Sequence, residues 1–142
     1  MNPWVIDLFY FVLLVCFLIA GSISVVLMIV RKHKKKNRKP AVMSLLISIL
    51  ILAVLILFIA SHSTYYKYND WVILQSNIYA VQQKYGNFDL GTIRDNQAGT
   101  VAYYIYTDNG PIMPDHLKHY YYMEYDEWGV ISKVYESCQP GG

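Results

Sequence analysis

Two cysteines, five prolines and 15% charged residues are little for a chain of 142. Soluble domains carry about 25% charge, well above the share found here. The length excludes a large multidomain enzyme. Base is scarce everywhere except in one stretch. Residues 31–40 hold seven Lys/Arg and no acid, and residues 61–142 hold five against nine Asp/Glu. The formal net charge of +2 therefore hides a basic segment and an acidic one. A basic nucleic-acid binder spreads its charge differently, and nucleic acid is not an expected partner. No P-loop, G-x-S-x-G, H-E-x-x-H or C-x-x-C motif occurs.

What is abundant is apolar length. Leu8 to Val30 and Ala41 to Ala60 run without a charge. About 20 apolar residues cross a hydrocarbon core of about 30 Å as a helix. The reading is a two-span hairpin over residues 1–60, with spans at about 8–30 and 41–60. A cleaved signal peptide needs base before its apolar core, whereas here Asp7 precedes it and the base follows. The linker 31–40 is expected on the cytoplasmic side, because short cytoplasmic loops collect Lys/Arg. Both chain ends then lie outside. Arg31, Lys32, Lys34, Lys35, Lys36, Arg38 and Lys39 are expected to meet anionic lipid headgroups, at about 1 kcal/mol per charge. Pro40 suits a first helical turn. Trp4, Tyr10, Tyr65, Tyr66 and Tyr68 are candidate interfacial anchors. Ala20/Ser24 and Ser44/Ser48 are small pairs four apart, a spacing that permits close packing of the spans.

The remainder, 61–142, holds 13 of the 14 tyrosines. Trp71, Leu74, Ile78, Val81 and Tyr85 recur at helical spacing, so a helix is expected from about Asp70 to Tyr85, capped by Asn69 or Asp70 and ended by Gly86. Whether it continues the second span is left open. Thr100–Thr107, Tyr120–Tyr125 and Val130–Glu136 read as strands, and Asp126–Gly129 as the turn of a hairpin. Phe88–Arg94 is a weaker strand. A tail without structure is expected from about residue 137. The fold class is thus an α+β membrane protein: a helical hairpin, then one amphipathic helix on an antiparallel sheet of three or four strands. Alternation points Tyr103, Ile105, Tyr121, Met123, Val130 and Val134 at the helix.

The segment HYYYMEYDEWGVISKVYE, His119 to Glu136, resembles the final hairpin of PepSY-like domains, with Tyr125, Asp126 and Gly129 matching an aromatic strand, Tyr-Asp-x-x-Gly turn and apolar strand. The order of helix then meander is similar to cystatin-like modules. The whole chain resembles small membrane proteins of Gram-positive bacteria. The resemblance implies a small extracytoplasmic domain and transfers no catalytic or binding residue.

Asp115, His116 and His119 are the candidate metal ligands, since His-x-x-His places two imidazoles on one helical face. Zinc requires three or four ligands, and no cofactor is expected. Cys138 lies near the end without a fixed base, so no cysteine catalysis, and no enzyme, is expected. Tyrosine pairs an apolar ring with a hydroxyl and suits contact surfaces. In runs such as Tyr103–Tyr104 and Tyr120–Tyr122, neighbours point to opposite faces. Tyr104, Tyr106, Tyr120 and Tyr122 are therefore the candidate binding surface. The functional expectation is a membrane-anchored module showing an acidic, tyrosine-rich surface to an envelope protein, peptide or glycan. The alternative is a regulatory or immunity-type protein acting through its spans on a membrane complex. An enzyme using Asp115, His116 and His119 ranks last.

Overall fold

A computed structural model describes residues 3–34, 37, 39–110 and 113–139, and side chains from residue 5 onward. Lys35, Lys36 and Arg38, expected to meet headgroups, and the side chain of Trp4, expected at the interface, lie outside the described residues. The chain divides into two compact units, Trp4–Ala60 and a second beginning at Ser61.

The first unit is a pair of α-helices, α1 (Pro3–His33) and α2 (Lys39–Ser61). Both are long and apolar enough to cross a membrane by length and composition. Helix α1 runs past Val30 and takes Arg31, Lys32 and His33 into its last turn, where cations complement the helix dipole. The basic bend is correspondingly shorter than residues 31–40. Pro40 sits in the first turn of α2. The helices pack along the small residues. Ser24 and Ser44 share a hydrogen bond of 2.9 Å across the pair, and a Cβ on Gly21 would lie 4.0 Å from Ser48. Ser24 and Ser48 are buried, and their hydroxyls also donate to Ala20 and Ser44 carbonyls. Further along, Tyr10 meets Phe58 at 5.6 Å between ring centroids. Large aliphatic residues on the other faces, such as Leu18, Val26, Leu50 and Leu57, are exposed.

The second unit is α+β: α3 (Asp70–Ile73), α4 (Ile78–Tyr85), and a three-stranded antiparallel sheet of β1 (Gly99–Thr107), β2 (Lys118–Tyr125) and β3 (Ile131–Cys138) in the order β1-β2-β3. The single helix expected from Asp70 to Tyr85 is in fact two. Asn69 caps α3 through Val72 N–H, and Asn77 caps α4 through Tyr79 N–H. Between them Gln75 has φ 65, and the backbone pairs with the sheet: Gln75 N–H donates to Ile131 O, and Ile131 N–H donates to Ser76 O. A second cap and a stretch of sheet pairing replace the helical bonds these residues would otherwise make. The break turns Ile73 inward and leaves Trp71 exposed, reversing the expected stripe at that end. Nor does the helix continue the second span, since residues 62–69 separate α2 from α3.

The weak strand Phe88–Arg94 makes only an isolated bridge, Leu90 to Ala102. Strand β3 runs to Cys138, two residues beyond the expected end, because Cys138 pairs with His119. An irregularity between Glu124 and Tyr125 pairs Tyr125 with Ile131, so Ile131, and not Val130, enters the core. The core lies between the helices and one sheet face: Ile73, Ile78, Val81, Val101, Tyr103, Tyr121, Met123, Tyr125 and Ile131.

Candidate binding face

The tyrosines fall into two populations, divided by the pleat of the sheet. On the helix side, Tyr68 is nearly fully buried and packs on Tyr121, Tyr85 and Tyr103 at 4.7, 5.3 and 5.5 Å. Tyr65 is buried beside it. Neither is an interfacial anchor in position: both rings belong to the protein core, and Tyr66 is half-buried against it. The chain between Ser61 and Asp70 folds back through a Tyr65–Tyr68 bridge, which carries these rings inward.

Buried polar atoms need partners, and among the described residues no buried side-chain nitrogen or oxygen lacks one. Tyr121 donates to Asp70 Oδ1 at 2.7 Å, and Tyr103 donates to Gly86 O at 2.7 Å. Asp70 is itself buried, with Oδ2 accepting from Ser63 Oγ and Thr64 N–H. Burial pushes the phenols of Tyr68 and Tyr103 up to about 12. Tyr121 is raised further, first by burial and then by the Asp70 hydrogen bond.

The other sheet face carries a row of four rings across all three strands. Tyr104 opposes Tyr120 with an edge contact at 5.7 Å; Tyr120 neighbours Tyr122 at 6.2 Å; Tyr122 stacks on Tyr135 at 5.4 Å and 12°. Lys133 Nζ lies 4.6 Å from the Tyr135 centroid and 3.6 Å from Glu124, closing one end. Cross-strand aromatic pairs of this kind each stabilise a sheet by about 0.2–1 kcal/mol. Exposure is uneven: Tyr104 is 43% accessible, Tyr122 and Tyr135 are half-buried, and Tyr120 only 6% because its neighbours wall it in. Burial raises the phenols of Tyr122 and Tyr135.

Tyr106 is not in this row. Strict alternation would place it beside Tyr104, but the register shifts between Tyr104 and Tyr106, and a bulge turns the ring over. It lies flat on His119 at 4.5 Å and 10°, and donates to Glu136 Oε1 at 2.7 Å. Tyr135 takes its place in the row. The parity that sends Val134 inward sends Tyr135 outward, so the signal was present in the sequence.

The third candidate group separates. His119 Nε2 lies 3.1 Å from Asp115 Oδ2, and its Nδ1 lies 3.0 Å from Glu136 Oε1. His116 instead meets Asn109 Oδ1 at 3.0 Å. Both ring nitrogens of His119 are engaged by carboxylates, and a neutral ring donates to only one of them. Asp115 is held below the usual carboxylate range, first by the Leu117 N–H and then by His119. The arrangement ties the 113–117 loop to the end of the sheet. Among the described residues no group of three or more His, Cys, Asp and Glu is arranged to hold a metal ion.

No family model matches the chain, and no curated protein or solved structure matches it.

Proposed function

We propose that this protein is a membrane-anchored interaction module. Helices α1 and α2 cross the bilayer as a hairpin, the basic bend meets anionic headgroups on the cytoplasmic side, and the unit from Ser61 onward works outside the membrane. Its partner is an envelope protein that docks on the row Tyr104, Tyr120, Tyr122 and Tyr135. The observation that carries this reading is the row itself. Helices α3 and α4 take the opposite face of the sheet as their core, and exposed aromatic surface of this kind marks contact sites.

The regulator reading, in which the spans themselves contact another complex, is less favoured by the hairpin. Its small residues pack between α1 and α2, the Ser24 and Ser44 hydroxyls bond each other across the pair, and the Ser48 hydroxyl donates within α2 to Ser44 O. Ser22 is satisfied by its own helix at Leu18 O. What remains outward is mainly large aliphatic surface, which suits lipid.

Photo-crosslinking amino acids placed at Tyr104 and at Tyr122 test the reading in intact cells, with Gln83 on α4 as control. A discrete adduct from both tyrosine positions and none from Gln83 is expected. Equal patterns at all three positions overturn it. Topology is tested by a membrane-impermeant maleimide on single-cysteine variants in a C16S/C138S background. Gln97→Cys labels in intact spheroplasts and Lys34→Cys only after permeabilisation; the reverse result removes the proposal.

A further inference from the structure

Away from the tyrosine row, a cleft of about 450 Å³ opens beside the β2–β3 turn, within the range of small-molecule sites. Its walls include Trp128 and Tyr79, its far side is Ile93 to Asn96, and Tyr125 and Gly129 also line it. A second cleft of about 370 Å³ shares Arg94 and Tyr125 with it and extends over Thr92 and Thr100.

The exposed aromatic wall is built and held. Trp128 is 73% accessible, yet its turn is fixed. Asp126 Oδ1 accepts from Trp128 and Val130 N–H, Gly129 O accepts from Ile78 N–H at 2.8 Å, and Asn77 Nδ2 reaches Trp128 O at 3.5 Å. Gly129 has φ 77, the left-handed conformation that favours glycine at this turn. Tyr79 is bonded to Asp95, joining α4 to the far side. Tyr125, beneath, accepts from Arg94 N–H and donates to Thr92 O. The core therefore fixes the backbone of the cleft and the positions of Tyr79 and Tyr125 before any ligand arrives, which lowers part of the ordering cost of binding.

Apart from the Tyr79–Asp95 pair, much of the polar lining is unspent. Among the described residues, the side chains of Arg94, Asn96 and Glu127 make no protein hydrogen bond or ion pair. One cation faces two carboxylates, which disfavours phosphate or any other strongly anionic ligand. Flat rings flanked by mixed donors and acceptors match a pyranose. Such a sugar has an apolar C–H face that lies on an aromatic plane, and a rim of hydroxyls that each donate and accept. We infer that this cleft is a saccharide-binding site for neutral pyranose oligomers, with Trp128 and Tyr79 as stacking plates and Arg94, Asn96 and Glu127 as hydroxyl partners. The site is separate from the tyrosine row and stands or falls without it.

The full chain in a sugar-free detergent tests this by calorimetry and by tryptophan emission, in a W71F background. Chitotetraose, cellotetraose and maltotetraose are the probes. At least one is expected to bind saturably with a Kd of about 1 mM or tighter. Trp128→Ala should weaken it at least about tenfold and Asn96→Ala a few-fold, near 1.4 kcal/mol per decade. Tyr104→Ala should leave it unchanged. Trp128 is exposed, so its loss spares the fold, and unaltered near-ultraviolet circular dichroism verifies this. No saturable signal from any probe up to about 10 mM overturns the inference. So does binding that survives Trp128→Ala, or binding of tetra-alanine in place of every saccharide.

Discussion

The two faces of one small sheet carry the same residue in quantity and use it differently. On the helix side, tyrosine is structural: Tyr103 and Tyr121 are enclosed, and each hydroxyl has a fixed acceptor. On the other side, Tyr104 packs on Tyr120 and Tyr122 on Tyr135, and Tyr104, Tyr122 and Tyr135 each keep part of the ring accessible. Tyrosine content by itself therefore says little about function. Whether a ring's hydroxyl is committed to the interior separates a core residue from a candidate contact.

Alkali should break the contrast most completely. The raised phenols of Tyr68 and Tyr103 favour the folded state only while they are protonated. Their contribution is whole below about pH 10, the unfolded value, and is lost as pH climbs towards the folded values of about 12. Stability measured against pH, with phenolate absorbance followed alongside, should fall in that window, and core tyrosines should ionise together with unfolding. Next in size is Asp70→Ala. It strips acceptors from Tyr121, Ser63 and Thr64 and should cost about 3 kcal/mol in urea denaturation. Gly99→Ala comes third. A Cβ there would sit 2.5 Å from the Tyr125 hydroxyl, and the overpacking should cost about 2 kcal/mol. Tyr121→Phe removes one donor from Asp70 and should cost about 1.5 kcal/mol. Smallest in stability is Tyr104→Ala, about 0.5–1 kcal/mol from one lost ring pair. Yet it should abolish the crosslink at Tyr122. If Tyr104→Ala melts the protein as far as Asp70→Ala does, the two faces are not different in kind.

Much of the architecture was legible because it is local. Charge-free runs, turn residues at Asp126–Gly129 and the two-residue period of TVAYYIYT mark their elements directly. The errors share one cause. At Ser76–Asn77, at Ile105 and at Ser132 the backbone departs from strict periodicity to satisfy a distant partner. A helical wheel or an alternation rule carries no information about such a partner. It is why periodicity alone places Trp71, Val130 and Tyr106 on the wrong side. The binding row was legible for Tyr104, Tyr120 and Tyr122 by parity alone. The cleft beside Trp128 was not, since Tyr79, Arg94 and Trp128 come from three segments that only the finished fold assembles.

The pairing of Gln75 and Ser76 with Ile131, and of Ile78 with Gly129, has a bearing on biogenesis. Chains fold progressively as they leave the ribosome. Here the break between α3 and α4 receives its backbone partners only when β3, the last strand, has emerged. Until then Ile73, Ile78 and Tyr68 have no completed interior to enter. These backbone pairs therefore close only after nearly all of the unit has been synthesised, so its interior is completed by its C-terminal strand.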